Sequence, residues 1–392
     1  MTSRTRLIVF CTSIPIIAFT LIGGYLGRVS AGEDTYRHLR IFEDVVSLIS
    51  NNYVEEVDLD DVMHGALQGL AAGLDADSAY LSLEDVERIE GKRSLALGSV
   101  GLTVTRRYYV QVVATQDGSP AAEAGLLPGD FLRTIDGEPT RFMSAIEGER
   151  RLRGEPGSTV TLSLIRGSTQ EPFDIDLVRE RLAPPVVTAR MLDAASGVGY
   201  IRIPTFDDGV ASQITDTAKT LVESGSSHLV IDVRSTGNGN YQAAIEAARL
   251  FIEDGTLVIR EEHGENRIPI EATSDDQAIS TPATLLINYG SSGPAELFVA
   301  ALSDQERATT VGQRTAGRAG LQKLVRLPNG TGLWISYARY LTASGDSIHP
   351  SGVEPTLPVA TEVPELGEPL SPDDPILKRA LEHIQTTLAP AA

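Results

Sequence analysis

The chain has 392 residues, 42% of them hydrophobic, which is ordinary for a globular protein and leaves room for about two or three compact units. Its formal net charge of −20 argues against nucleic acid as a partner. The single cysteine, Cys11, excludes an internal disulfide, and six scattered histidines without ligand-like spacing give no catalytic metal, so no cofactor is expected.

Arg4 and Arg6 precede residues 7–26, a stretch of 20 without a charged side chain. That is long enough to cross a hydrocarbon core of ~30 Å. Residues 1–31 are therefore read as a membrane anchor, with a signal peptide cleaved near Val29-Ser30-Ala31 as the alternative. The apolar length exceeds the about 7–15 residues of a signal-peptide core, which favours the anchor. Either reading puts the rest of the chain outside the cytoplasm: in a bacterium, an inner-membrane anchor with the folded part in the periplasm or beyond.

Residues 34–97 are helical in pattern. Leu39, Phe42, Val46 and Ile49 recur at helical spacing, as do Val62, Ala66, Leu67, Leu70 and Leu74, and such stripes predict packing or an oligomer contact. From residue 98 the pattern changes to short strands. G-S-V-G-L-T-V and then A-G-L-L-P-G-D-F-L-R-T-I-D-G-E place glycines, Asp130 and Asp136-Gly137 where turns between strands need them. Residues 98–182 resemble a PDZ domain of the bacterial kind. The resemblance implies that the loop Ser99, Val100, Gly101, Leu102 offers backbone N–H groups to a peptide's C-terminal carboxylate beside an open sheet edge. Leu102, Val104 and Ile146 would then line the pocket for an apolar terminal side chain.

After a linker at Pro184-Pro185, residues 183–361 alternate apolar strands with helical segments, and residues 362–392 read as a C-terminal helix and tail. A strand at 198–203, a helix at 209–223 and a buried strand at 228–233 lead to D-V-R-S-T-G-N-G-N, and a helix follows at 241–251. The apolar run Leu285-Leu286-Ile287 then feeds the small-residue turn Gly290 to Gly293; Pro294 suits a first helical position, and a helix continues through Leu302. Backbone N–H groups at such a helix start are placed to hold an oxyanion.

The stretch G-S-S-G-P-A-E, the later A-G-R-A-G-L-Q, and the closing Y-A-R-Y-L-T-A-S-G-D-S-I-H-P-S-G-V-E-P-T resemble the carboxyl-terminal processing peptidases, serine/lysine endopeptidases of bacteria and chloroplasts. The resemblance runs from Asp34 to about Glu382 and implies a multidomain α/β chain: N-terminal helical region, PDZ-like β domain and α/β (ClpP/crotonase-like) peptidase core. In that family the first motif usually reads G-[ST]-A-S-A-S-E, its fourth letter the nucleophile, and F-G-K-G-x-x-Q supplies a lysine base. Gly290, Ser291, Glu296 and Gln322 match, whereas the nucleophile position is Gly293 and the base position Arg318. The family's oxyanion hole implies Asn238, Gly239 and the N–H of residue 294, but Pro294 has none. Asn238 replaces a glycine there and tolerates a left-handed backbone. Asp304, eleven residues past Gly293, matches a carboxylate that some members need near the site, and is equally read as a solvent-facing residue at the C-terminal end of the helix.

Glycine has no reacting group, and arginine stays protonated and only donates, so Arg318 cannot take a proton and is expected to pair with a carboxylate. Ser292 and Ser291 are candidate substitute nucleophiles. Ser292 is one residue early, ~3.8 Å along the chain, and a misplacement of ~1 Å already costs about 10²-fold. Lys323 sits beside Gln322, but neighbours in a strand face opposite ways. The two serines are otherwise expected to cap the helix. The expected function is that of an inactive relative that binds unstructured peptides or protein C-termini. The alternatives are a serine endopeptidase using Ser292 or Ser291, and an inactive subunit that positions an active homologue.

Overall fold

The computed structural model describes residues 36–167, 171–193, 197–273, 279–365 and 373–388. The expected anchor lies outside them, and among the described residues no helix is long and apolar enough to cross a membrane. The described residues divide into two compact units between Gly69 and Leu70. In the first, a helix at 36–52 precedes the helix Leu59–Ala72. Phe42, Val46, Leu59 and Met63 line a shallow groove there. Leu39, Ile41, Val45 and Leu48 stay exposed, so only part of the predicted stripe is covered.

The second unit contains three sheets. The first has the antiparallel order Leu102–Arg106, Val110–Thr115, Phe131–Ile135, Thr159–Ile165, Phe173–Val178. Asp136 and Gly137, both at positive φ, form the two-residue turn between Phe131–Ile135 and Glu138–Pro139, as their chemistry predicts. Asp130 does more than turn the chain: its carboxylate accepts from Leu127 N and pairs with buried Arg166 at 2.7 Å.

The second sheet runs Leu357–Pro358, Ala308–Gly312, Ala283–Ile287, His228–Asp232, Val198–Arg202, Thr188–Asp193, parallel except for the last strand. Its central strands are buried at every position because both faces are covered. Leu229, Ile231, Leu285 and Ile287 share a core with the helices Val210–Glu223, Tyr241–Arg249 and Pro294–Asp304. The alternate residues Val230 and Leu286 meet Ile376, Ala380 and Ile384 of the helix Pro375–Leu388.

Gly332–Thr342 organises the third sheet, pairing with Gly255–Glu262, Gly320–Arg326 and Ala79–Leu81. Ala79–Leu81 corrects the helical reading of residues 34–97. It is a buried strand stopped by Ser82, which caps the short helix Leu83–Ile89. Pairing with Gly332, Leu333 and Trp334 overrides the local pattern.

One buried histidine carries a pH prediction. His228 lies between strands with its Nε2 3.0 Å from the Thr284 hydroxyl, and burial pushes its pKa down from 6.5 to about 4, with His383 and Arg307 adding to the effect. The unfolded chain therefore takes up this proton first, and stability is lost as pH falls from 6.5 towards 4. The loss should reach about 2 kcal/mol at pH 5 relative to pH 7. His228→Gln should remove that part of the pH dependence in urea denaturation; an unchanged dependence would contradict the assignment.

Candidate peptide cleft

Strand Ala283–Ile287 delivers the chain into a turn that two neighbouring loops hold. Asn288 accepts from Gly290 N and Ser235 N, both at 2.9 Å, and Ser292 N donates to Thr236 O at 3.0 Å. From the other side Ala316 N donates to Ser291 O at 3.1 Å. Gly290 must be glycine, since a Cβ would lie 2.7 Å from Ser235 Cα and 2.8 Å from Pro128. Gly293 sits at φ 58°, ψ −113°, and Pro294 begins a helix that is buried along nearly its whole length.

Gly293 differs from Gly290 in having room. A Cβ there would make ordinary contacts, 3.6 Å from the Tyr241 hydroxyl and 3.9 Å from Arg318 O. The Tyr241 hydroxyl is 3.0 Å from both Arg318 O and Gly320 O. Burial pushes its pKa well up, so it stays a neutral donor. Nothing in the sequence marked Tyr241 as a neighbour of this position.

Glu296 binds the two motif loops together. Its Oε2 accepts from Gly293 N and Arg318 N at 2.9 and 2.6 Å, and its Oε1 from the Thr315 hydroxyl and Gly317 N at 2.6 and 2.5 Å. Burial raises its pKa, while the four donors favour the charged form. The helix is thus capped by Glu296 reaching back to Gly293 N, not by a serine as expected. The Ser291 hydroxyl donates to Val233 O at 2.8 Å and accepts from Asn288 N, closing the turn. Among the described residues, neither Ser291 nor Ser292 is hydrogen-bonded to a lysine or an imidazole.

Arg318 finds the expected carboxylate within its own chain. Nε and Nη2 donate to Asp77 Oδ1 at 3.0 and 2.7 Å, and Asp77 is buried beneath Thr105. Burial lowers the Arg318 pKa, but Asp77 and Glu149 outweigh it and the net direction is up. This pair lines a cavity of about 930 Å³ together with Tyr289, Gly317, Lys323 and Tyr337. Lys323, not Gln322, faces it: a bulge between Leu321 and Gln322 resets the alternation, and Gln322 reaches Ser336 at 3.3 Å.

Three expected site residues lie elsewhere or behave differently. Asp304 ends the helix that Gly293 starts, about 16 Å away at 1.5 Å per residue, and binds Ser344 N and Oγ. Asn238 is not left-handed; the positive φ falls on Ser235 and Gly239. Asn238 Oδ1 accepts from Thr103 in the first sheet, while Gly239 packs so closely on Phe206 that a Cβ would meet its carbonyl oxygen at 2.4 Å.

The predicted PDZ groove also needs correction. Ser99 N is taken by Glu180 O and Gly101 N by the Ser99 hydroxyl, so two loop donors are already engaged. Val100 and Val104 are fully buried, and part-buried Ile146 packs with Ala79, Leu81, Val86, Leu324 and Trp334 instead of lining a pocket with Leu102. The Val104 N–H meets the Glu149 carboxylate on the facing helix Ala145–Leu152. The opposite side of the sheet covers the core loops: Val113 and Ala114 pack on Ala316, and Gln111 accepts from the Tyr289 hydroxyl.

Comparison with known proteins agrees with this architecture. Residues 197–359 match the model of peptidase family S41, and residues 111–166 that of the PDZ domain. The carboxyl-terminal-processing protease of Synechocystis sp. is 30% identical over 81% of this chain and 75% of its own length. The chain belongs to the carboxyl-terminal-processing protease family. A second member, from Bartonella bacilliformis, is 27% identical over 92% of this chain and 84% of its own length. Among solved structures, a photosystem II D1 C-terminal processing protease superposes with a TM-score of 0.69 at 24% identity, covering 82% of this chain and 92% of that one. It shares the family fold of PDZ domain and α/β core.

Proposed function

We propose that this member of the carboxyl-terminal-processing protease family binds extended peptides or protein C-termini without cutting them, outside the cytoplasm and tethered by residues 1–31. The observation that supports the reading is the set of groups placed around Gly293. Gly293 offers no hydroxyl, Arg318 is locked to Asp77, and the Ser291 proton is committed to the Val233 carbonyl. Pro294 removes a further N–H from the place where an oxyanion would need one. Glu296, Tyr241 and the glycine turns still hold the cleft in shape, as a binding role requires.

The test is incubation of the purified full-length protein with an unstructured reporter protein ending in apolar residues, followed by mass spectrometry. The expected outcome is intact reporter alongside measurable binding. Cleavage that disappears in Ser292→Ala would establish the competing reading, an active peptidase with a displaced nucleophile.

A further inference from the structure

Resting on that reading of the cleft, we infer that the cavity of about 930 Å³ beside Gly293 receives a peptide carboxylate, held by Lys323 and Arg107. Four carboxylates and four cations line the cavity, but the carboxylates draw some of their partners from outside it. Its four carboxylates are all engaged: Asp75 Oδ1 accepts from Asp77 N and Ser78 N, Asp77 pairs with Arg318, Glu261 with Arg339 and Arg267, and Glu262 with Arg260. Arg318 and Arg339 are thereby satisfied. The remaining two lining cations have only aromatic partners among the described residues. The Lys323 ammonium lies 5.1 Å from the Tyr337 ring centre, and the Arg107 guanidinium 6.0 Å from that of Tyr289.

Both side chains are exposed, so neither is held by burial; Lys323 and the Arg107 N–H groups not used on the Tyr289 hydroxyl can form charge-assisted hydrogen bonds with an incoming anion. The cavity begins where the cleft does: Ala316, Gly317 and Arg318 line it, Ala316 N donates to Ser291 O, and Gly317 N and Arg318 N share the Glu296 carboxylate with Gly293 N. An extended peptide passing Gly293 would enter it, with Tyr289, Tyr337 and Ile335 offering apolar surface beside the two cations. The shared ligand chemistry is a carboxylate, from either a peptide's free C-terminus or an acidic side chain.

Three fluorescent eight-residue apolar peptides separate the possibilities when titrated against the full-length protein: one with a free C-terminus, one amidated, and one amidated but carrying a single glutamate. A carboxylate-bearing peptide is expected to bind at least 10-fold more tightly than the neutral amide, and which of the two does so identifies the source. Combining Lys323→Met with Arg107→Met should erase the difference, and each single change should erase part of it, which keeps the test readable if the double variant folds poorly. A preference that survives both substitutions would put the carboxylate elsewhere and overturn the inference. Equal binding of all three peptides removes the inference but leaves the cleft a peptide site, whereas no binding of any peptide removes both.

Discussion

Glu296→Gln is expected to destabilise the protein by roughly 3–5 kcal/mol, among the largest effects available to a change of one atom type. The carboxylate accepts four hydrogen bonds with no exposure to solvent, two at each oxygen. An amide keeps one accepting oxygen and turns an NH₂ group towards two donors. If the oxygen stays with Thr315 and Gly317, the N–H groups of Gly293 and Arg318 lose their acceptor and face another donor. Each buried donor left without a partner costs about 1–3 kcal/mol, and the opposed NH₂ adds to that. The prediction is checked by the midpoint of chemical denaturation at unchanged slope. A shift below about 1 kcal/mol would mean that the side chain is not the ionised acceptor described here.

Arg318→Met should cost about 3 kcal/mol, for a different reason. Asp77 is buried, and Arg318 is the one cation paired with it among the described residues. Removing the guanidinium leaves a carboxylate in a place where solvation cannot replace it. Replacing both partners, as in Asp77→Leu with Arg318→Met, should recover most of the loss, because the expense lies in the unpaired charge and not in the missing attraction. If the double variant is as unstable as the single one, the ion pair is not what holds this corner together. Arg318→Lys should restore no cleavage, because Gly293 still lacks a hydroxyl and Pro294 an N–H.

The strand Ala283–Ile287, the turn to Gly293 and the helix from Pro294 were all legible in the sequence, since a short apolar run between glycines and a proline leaves little choice. The Asp136-Gly137 hairpin was legible for the same reason, its chemistry being local. Contacts between distant segments were not. Asp77 lies within D-A-D-S-A-Y, read as part of a helical region, and is 241 positions from Arg318. The alternating Ala79 and Leu81 after two aspartates gave a weak strand signal that the apolar stripes upstream obscured. The hairpin Gly255–Glu262 with Asn266–Ala272 went unassigned, although the alternation in N-R-I-P-I-E-A marks one face exposed. For Asp304 the sequence left two readings open, and the structure agrees with the end of the helix: the helix leads away from the turn it starts. Lys323 escaped because a single bulge reverses which neighbour faces inward.

Ala79–Leu81 bears on how the protein is made. Its hydrogen-bonding partner, Gly332–Thr342, leaves the ribosome long after it, and the Tyr80 hydroxyl meets Thr331 across 251 positions of chain. The segment carrying Asp77 can meet Thr105 and Ile146 once the PDZ domain is made, but it must wait through synthesis of most of the core for its strand partner and for Arg318. Assembly of the cleft is thus a late event in the life of the nascent chain, and a chain interrupted before the last long strand would lack one wall of it.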